Sequence, residues 1–377
     1  MFVAWRDLRF AKGRFALMGT VIVLITVLVG LLSGLTAGLG RENTSAITAL
    51  PADHLVFSAP VGDGGVSFTE SRLSERTVRE WARVPGVRSA EPLGIATTKA
   101  EAGGRTAAVS AFGVRPGSRL APAPAGAAAG ASREKVADGA VALSEKAAAS
   151  LGVHAGDRLT LGGRTFRVAA VSGAAMYSHT PVVWTSLGDW RRLTGGSGPA
   201  AGAHGSGDSV GATVLALSTS STAGLPAADR RLDTRTVTTD DALQAIGSYT
   251  AEHGSLTLMR GFLFAISALV IGAFFTVWTI QRSGDVAVLK ALGASTRYLL
   301  RDALGQAVVL LVIGTGLGTA VVAGVGAGIG GAVPFVLDPS TVLFPALVMI
   351  ALGAVGAALS IRRITSVDPL TALGSAR

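Results

Sequence analysis

Four long uncharged stretches divide the chain, and each is long enough to cross a membrane as a helix. They are Phe15–Gly40, Gly261–Gln281, Ala303–Leu337 and Pro339–Ile361. A helix needs about 20 apolar residues to cross the hydrocarbon core of a bilayer. The third stretch would reach about 52 Å as one straight helix, so we expect its glycine-rich part, Gly324–Gly331, to fray or end that helix. The pattern predicts four membrane spans.

The region between the first two spans alternates short amphipathic segments with turn signals, which is typical of a mixed α/β domain. Ser144 is placed to cap a short helix, and Gly162-Gly163 is a two-residue hairpin signal. Two Ala/Gly-rich insertions, Ala121–Ser132 and Gly195–Gly211, suggest two lobes, with Val141–Leu193 as one of them. The predicted helices are Ser71–Val84, Glu145–Leu151, Ser186–Leu193 and Asp240–Ser255, and the predicted strands are Thr106–Val114, Arg158–Leu161, Arg164–Val171, Pro181–Thr185 and Val210–Leu217.

Composition supports this division. Of 377 residues, 49% are hydrophobic and only 15% are charged, and the mean hydropathy of +0.50 is too apolar for an ordinary soluble protein. The chain has no cysteine. The outer domain is large enough to fold on its own core without disulfides.

The basic residues indicate which ends of the spans are cytoplasmic. They concentrate before the first span, between the second and third spans, and after the fourth, whereas the short loop between spans three and four has no Lys or Arg. Cytoplasmic loops carry the excess of Lys and Arg. We therefore expect a multi-pass plasma-membrane protein with cytoplasmic termini and an extracellular domain. The high isoelectric point follows from this topology, which leaves no reason to expect nucleic-acid binding.

The predicted fold is thus an α-helical membrane protein with four transmembrane helices and an α/β extracytoplasmic domain inserted between helices 1 and 2. Residues 1–14 form a basic amphipathic segment that would lie along the inner leaflet and contact membrane lipid. The expected boundaries are residues 1–14 cytoplasmic, 15–40 helix 1, 41–257 outer domain, 258–281 helix 2, 282–302 cytoplasmic loop, 303–330 helix 3, 331–341 outer loop, 342–361 helix 4 and 362–377 cytoplasmic tail.

The sequence contains no P-loop nucleotide-binding motif. The chain contains no Gly-Lys dipeptide and therefore no P-loop, and it has neither an H-E-x-x-H nor a C-x-x-C motif. The five histidines lack metal-ligand spacing. We expect no enzyme, no catalytic residues, no covalently bound cofactor and no metal site formed by side chains alone.

A stripe of small residues follows one face of the first span. Gly30, Gly34 and Gly38 are spaced four apart, which would let another helix approach closely. Two interpretations stay open: packing against a helix of the same chain, or a self-association face for dimer packing.

Glu42 continues that face at the outer boundary, and Met259 stands at the outer start of span two. A carboxylate and a thioether facing each other across an apolar cleft would suit a haem iron, with Arg41, Arg260 and Phe262 beside them as further candidate ligand-binding residues. The alternatives are a solvated helix-end charge for Glu42 and a core filler for Met259.

The loop after span two, Arg282–Ser295, is amphipathic and carries both signs of charge. It resembles the coupling loop of MacB/FtsX-type ABC transporter permeases, with Asp285 in place of the usual Glu. The tail Arg362–Leu373 resembles the terminal signature of that family, and Leu143–Val171 resembles a pattern of its outer domain. The resemblance covers nearly the whole chain.

The resemblance implies a homodimeric permease joined to two copies of a separate ABC ATPase, which would bind ATP and Mg²⁺. Nucleotide-driven closure of the ATPases would push on the loop. The residues expected to couple to the ATPase are Asp285, Val286, Val288, Leu289, Lys290, Leu292 and Gly293.

Within the family, Tyr177–Trp184 and the outer domain are similar to the haem-efflux permeases of Gram-positive bacteria. The expected function is export of an amphiphilic substrate, with haem as the first candidate. Three alternatives stay open: an exporter of peptide, lipid or antibiotic, a mechanical transmitter that controls a cell-wall hydrolase, and a sensor subunit for antimicrobial peptides.

Overall fold

The computed structural model describes residues 12–62, 64–121, 136–195, 210–281, 293–329 and 333–365, and positions 284 and 288. Its helices are α1 (Lys12–Thr48), α2 (Glu75–Trp81), α3 (Glu145–Leu151), α4 (Leu187–Thr194), α5 (Leu225–Leu232), α6 (Gly247–Gln281), α7 (Thr296–Ile329) and α8 (Pro339–Thr365). Its strands are β1 (His54–Ser58), β2 (Leu73–Ser74), β3 (Val87–Ala102), β4 (Arg105–Val114), β5 (Ala140–Leu143), β6 (Arg158–Leu161), β7 (Arg164–Val171), β8 (Met176–Tyr177), β9 (Thr180–Ser186), β10 (Val210–Ala212), β11 (Val214–Thr219) and β12 (Thr234–Thr238).

The chain divides into two compact units. The membrane unit comprises Met1–Leu39 and Gly254–Arg377, and the outer unit comprises Gly40–His253. Four helices of the described residues (α1, α6, α7 and α8) are long and apolar enough to cross a membrane. This confirms the four spans predicted from the uncharged stretches.

The membrane unit has an apolar core shared by its four helices. Gly314 and Gly318 of α7 lie against Ile22 and Thr26 of α1, where an added Cβ would come within 2.8 Å of a side chain. These glycines therefore let α1 and α7 approach closely. The buried core residues include Met18, Ile22, Val29, Ile271, Phe275, Leu311 and Met349.

Two of the membrane helices extend further than the apolar pattern predicts. Helix α1 continues past Gly40 to Thr48, and α6 begins at Gly247 rather than at residue 258. The helix expected over Asp240–Ser255 is instead a short 3-10 helix, Asp241–Ala245, followed by α6. The charges near residue 41 end the apolar run but not the helix, because the next turns bury Asn43 and Ile47 in the outer unit.

The described residues of the outer unit form a ten-stranded sheet, in which β3 is the shared strand, and a separate two-stranded sheet of β2 and β10. The end of β3 from Gly94 to Ala102 pairs with β4, and Ala100 and Glu101 also pair with β6. Strands β3, β4, β9, β5, β7 and β6 therefore form a closed ring. The start of β3, from Val87 to Leu93, pairs with β11, and the sheet continues through β1 to β12.

Helices cover this sheet in two places. Helices α3 and α4 pack against the ring, where Leu151, Trp190 and Phe166 share one buried cluster. Helices α2 and α5 cover the extension, where Trp81 and Leu225 share another.

A third buried cluster joins the two parts, since Phe57 of β1 packs in it with Phe112 of β4 and Trp184 of β9. The two lobes expected from the insertions therefore share a core within one compact unit.

Local signals place several elements correctly. Ser144 caps α3 by accepting a hydrogen bond from the backbone N–H of Ala147, and Ser186 caps α4 in the same way. Strands β6 and β7 pair on either side of Gly162-Gly163, as that hairpin signal predicts. Both glycines have positive φ, 53° and 80°, which is why this turn favours glycine.

Candidate functional site

A cluster of hydrogen-bonded polar side chains gathers where three parts of the outer unit meet. These parts are the last turns of α1, the turn between β8 and β9, and the first turns of α6; a lysine from α3 joins them. We call this cluster the polar clamp. Its residues are Glu42, Asn43, Lys146, Ser178, His179, Ser248 and Glu252.

The β8–β9 turn of the clamp has an unusual backbone. Tyr177 pairs with Thr180, so that Ser178 and His179 form a two-residue hairpin loop. Both have positive φ, 48° and 61°, a conformation that hairpin turns usually reserve for Asn-Gly. A non-glycine residue there costs about 1–2 kcal/mol, so the surrounding contacts have to hold the turn in this form.

Helix α1 supplies the contacts that hold the turn. The N–H of Ser178 donates to the carbonyl of Asn43 at 3.0 Å, and the N–H of His179 donates to that of Glu42 at 3.3 Å. The Ser178 and Ser248 hydroxyls are 2.8 Å apart, which links the turn to α6 as well. The strained turn is therefore fixed by both helices.

Asn43 is the buried centre of the clamp. Its side-chain oxygen accepts a hydrogen bond from the Ser248 hydroxyl at 2.5 Å, and its Nδ2 donates to Glu252 at 3.1 Å. The Nε2 of His179 lies 2.9 Å from the same Glu252 carboxylate. Because buried polar groups are costly when unpaired, these bonds bind α1, α6 and the turn into one arrangement.

Both carboxylate oxygens of Glu42 lie near basic side chains, and one of them accepts a hydrogen bond. Its Oε1 accepts a hydrogen bond from the Lys146 ammonium, and its Oε2 lies 3.8 Å from Nδ1 of His179. The Glu42 side chain is 20% exposed, whereas that of Lys146 is 54% exposed. The carboxylate predicted as a ligand is therefore already paired within the outer unit.

An aromatic row supports the turn. Tyr177, next to Ser178, makes edge contacts with Phe68 and Phe112 at centroid distances of 5.7 Å and 5.5 Å, and Phe112 continues the row to Trp184. Burial raises the pKa of the Tyr177 phenol because it disfavours the charged form. Tyr177 is therefore a neutral side chain that gives the turn rigid support.

The other predicted ligand residues lie on α1 and α6. Met259 and Phe262 expose about half or more of their surface within the membrane unit, at 51% and 61%. The Arg260 guanidinium lies over the ring of Phe344, 6.0 Å from its centroid. Arg41 is exposed on α1. Among the described residues, no group of three or more His, Cys, Asp or Glu side chains is arranged to hold a metal ion.

The predicted coupling residues fall mostly outside the part of the chain that the structure describes. Asp285, Val286, Leu289, Lys290 and Leu292 lie there, whereas Gly284 and Val288 are helical positions and Val288 is 59% exposed. Gly293 has a φ of 95° in the turn that follows.

The glycine stripe of α1 faces residues of the same chain. A Cβ on Gly30 would lie 2.7 Å from Val322, and one on Gly34 would lie 2.4 Å from the ring of Phe335. Gly38 approaches the backbone of Pro334. Of the two interpretations of the stripe, the structure favours packing within the chain.

Sequence reasoning found Glu42 but missed Asn43, Lys146 and Glu252, and it gave His179 no role beyond its place in the segment Tyr177–Trp184. One local signal was present. The two residues between Tyr177 and Thr180 have the length of a tight hairpin loop but lack its usual Asn or Gly. A turn of this kind indicates strain, and strained turns gather at functional sites.

Two family models match this chain. Residues 15–235 match the MacB-like periplasmic core domain, which is more than half of the chain. Residues 257–369 match the FtsX-like permease C-terminal. The chain belongs to the MacB/FtsX family of ABC transporter permeases. This confirms the family identified from the coupling loop and the tail, and with it a membrane protein that carries an extracellular domain.

Full-length relatives support the family assignment. A proposed hemin transport system permease protein, HrtB, of Staphylococcus epidermidis is 25% identical over 382 residues and aligns with 99% of each chain. Its counterpart in Staphylococcus haemolyticus is 26% identical over 387 residues, with the same coverage. An uncharacterized ABC transporter permease of Mycobacterium tuberculosis is 26% identical over 393 residues, again covering 99% of each chain.

Among solved structures, the periplasmic region of MacB from Actinobacillus actinomycetemcomitans is similar to part of the chain. It is 14% identical, with a TM-score of 0.36, and the match covers 53% of this chain and 95% of that one.

Proposed function

We propose that this MacB/FtsX-family permease exports haem from the membrane, driven by a separate ATPase. The observation that carries the proposal is the alignment of 99% of this chain with 99% of proposed hemin transport permeases from two Staphylococcus species. Such coverage includes the spans and the outer domain together. Substrate class is therefore proposed from the whole permease rather than from one shared domain.

The ATPase would act on the loop between α6 and α7. An ABC transporter permease works with an ATPase, and this chain has no P-loop of its own. We propose two ATPase copies, which bind ATP and Mg²⁺, and a second copy of the permease. The Lys and Arg distribution supports cytoplasmic termini and a cytoplasmic coupling loop.

Charge reversal at Asp285 tests the coupling role. We expect Asp285→Arg to lower haemin-stimulated ATP hydrolysis about tenfold or more, because a like charge placed at an interface costs several kcal/mol. The measurement is ATPase activity of the purified permease–ATPase complex in lipid nanodiscs.

Asp7→Arg is the matched control, since it makes the same charge change in the N-terminal cytoplasmic segment. Full stimulation in Asp285→Arg would contradict the coupling assignment. Co-purification of the two subunits shows whether the variant fails to couple or fails to assemble.

Glu42 and Met259 are each proposed as residues that would bind the haem iron. A thioether is an established haem ligand, and a carboxylate is an anionic oxygen donor that suits ferric iron. Two further features fit the same ligand class. Arg41 and Arg260 carry charge that complements haem propionates, and Phe262 offers an exposed ring to an apolar macrocycle.

A haemin titration tests the substrate and the ligands separately. We expect the wild-type complex in nanodiscs to shift the Soret band of added haemin, and the Glu42→Gln, Met259→Leu double variant to weaken that binding about tenfold or more. The variant replaces an anionic oxygen donor with a neutral amide and removes the thioether sulfur, with little change in side-chain size. The absorbance titration gives both the position of the Soret band and the Kd for haemin.

The matched control is Glu101→Gln with Leu258→Ala, which changes an exposed carboxylate and an exposed apolar neighbour of Met259. Absence of a Soret shift in the wild type would reject haem as the substrate. An unchanged shift in the double variant would reject only the two ligands.

A further inference from the structure

Within the outer unit, Glu42 connects the last turns of α1 to a residue far along the chain. Its partner Lys146 is the second residue of α3, which packs on the closed ring of strands. The two residues are 104 positions apart in the sequence. Their ion pair is therefore a cross-link between α1 and the ring, made by the same carboxylate that is proposed to bind haem iron.

The backbone keeps the Glu42 side chain in this position. Its carbonyl accepts the N–H of His179, and the next residue, Asn43, is fully buried and bonded to Glu252 and Ser248. The helix cannot rotate without breaking these bonds. Release of the carboxylate therefore requires one of its two side-chain partners to leave.

The two partners differ in their freedom to move. His179 sits in the strained turn, and its ring also contacts Glu252, so it is fixed from two sides. Lys146 is 54% exposed, and its flexible stem can carry the ammonium into water. Lys146 is thus the partner that can be exchanged.

We propose that Lys146 competes with cargo for Glu42. In the cargo-free state the Lys146 ammonium is paired with the Glu42 carboxylate, and a cargo that binds Glu42 must displace it. His179 keeps the carboxylate in place during this exchange. This inference rests on the proposed function. It makes Lys146 a positioning residue rather than a ligand, and it ties cargo capture to the loss of a cross-link between α1 and the ring.

The effect on affinity should be modest and opposite in sign to the loss of a ligand. Exposed lysine–carboxylate pairs shift an equilibrium by a factor of about 1.4 to 5. Removing the ammonium removes the competitor, so we expect Lys146→Met to lower the Kd for haemin about threefold. The Soret maximum should stay where it is in the wild type, because the ligands are unchanged.

The experiment is a haemin titration of the full permease–ATPase complex in nanodiscs. Lys146→Arg keeps the positive charge and should bind as the wild type does. Lys99→Met is the matched control, since Lys99 is also an exposed lysine paired with a carboxylate, that of Glu101, and it lies outside the clamp. Its Kd should not change. Thermal unfolding of each variant establishes that the comparison is made on folded protein.

Each other outcome overturns a specific statement. An unchanged Kd in Lys146→Met would show that the pair does not compete with cargo. A higher Kd would show that Lys146 contacts the cargo, as an ammonium paired with a haem propionate would. A wild type that binds no haemin would reject the proposed function, and this inference with it. If the wild type binds haemin, the Lys146 variants test only the competition between Lys146 and cargo.

Discussion

Replacing Trp190 with alanine is expected to cost the outer unit about 3–5 kcal/mol of unfolding free energy, the range found when buried aromatic side chains are deleted. Trp190 lies on α4 and is 2% exposed. Its indole covers Gly94 and Gly113, which face each other in register on β3 and β4. The alanine variant would leave a cavity over two glycines, which have no side chains to fill it. The measurement is thermal unfolding of the full chain in nanodiscs, followed by the loss of near-UV circular dichroism.

A double-mutant cycle tests whether the packing of the Trp190 indole is what requires glycine on these strands. A Cβ on Gly94 would lie 2.3 Å from Cδ2 of the Trp190 indole, an atom that alanine lacks, so Gly94→Ala alone should destabilise the chain by about 1–3 kcal/mol through overpacking. In the Trp190→Ala background the same change should cost little or nothing. Gly65→Ala is the control, because nothing lies within 4 Å of a Cβ there. An equal cost of Gly94→Ala in both backgrounds would contradict the packing of the indole on this glycine.

Elements with local signals could be predicted from the sequence, and elements fixed by distant contacts could not. The cap at Ser144 and the hairpin at Gly162-Gly163 depend on neighbours within a few residues, and both are present. The long strand β3 was missed. It contains Pro92 and Gly94, which weaken a strand signal, and it is held by pairing with β11, more than 100 residues away.

The same distinction applies to the candidate site. Glu42 stood out because it is a charge at the end of an apolar run. Its partners could not be deduced, because Lys146 and His179 come from elements more than 100 residues further along the chain. Pairing of Asn43 with Glu252 likewise depends on α1 and α6 continuing as helices beyond their apolar runs. Hydropathy marks where a span enters the membrane, whereas the burial of a polar face decides where the helix ends.

The glycine stripe of α1 offers the second large effect, at Gly38. An alanine Cβ there would lie 1.9 Å from the carbonyl oxygen of Pro334, which is backbone and cannot rotate away. The segment at residues 333–338 would have to move, and its bond from the Val336 N–H to the carbonyl of Gly34, at 3.1 Å, would be lost. We expect Gly38→Ala to lower the free energy of unfolding by about 3 kcal/mol, at the upper end of overpacking costs.

Gly40→Ala is the matched control on the same helix. Nothing lies within 4 Å of a Cβ at that position, and alanine is favoured over glycine inside a helix by about 0.5–1 kcal/mol, so this variant should unfold at the same temperature or higher. Two measurements in nanodiscs separate packing within the chain from self-association: the temperature of thermal unfolding and the mass of the assembly. If the stripe packs within the chain, Gly38→Ala unfolds earlier and the oligomeric state is kept. A variant that dissociates into monomers with unchanged unfolding would instead show that Gly30, Gly34 and Gly38 form the self-association face, because only contacts between chains would then have been lost.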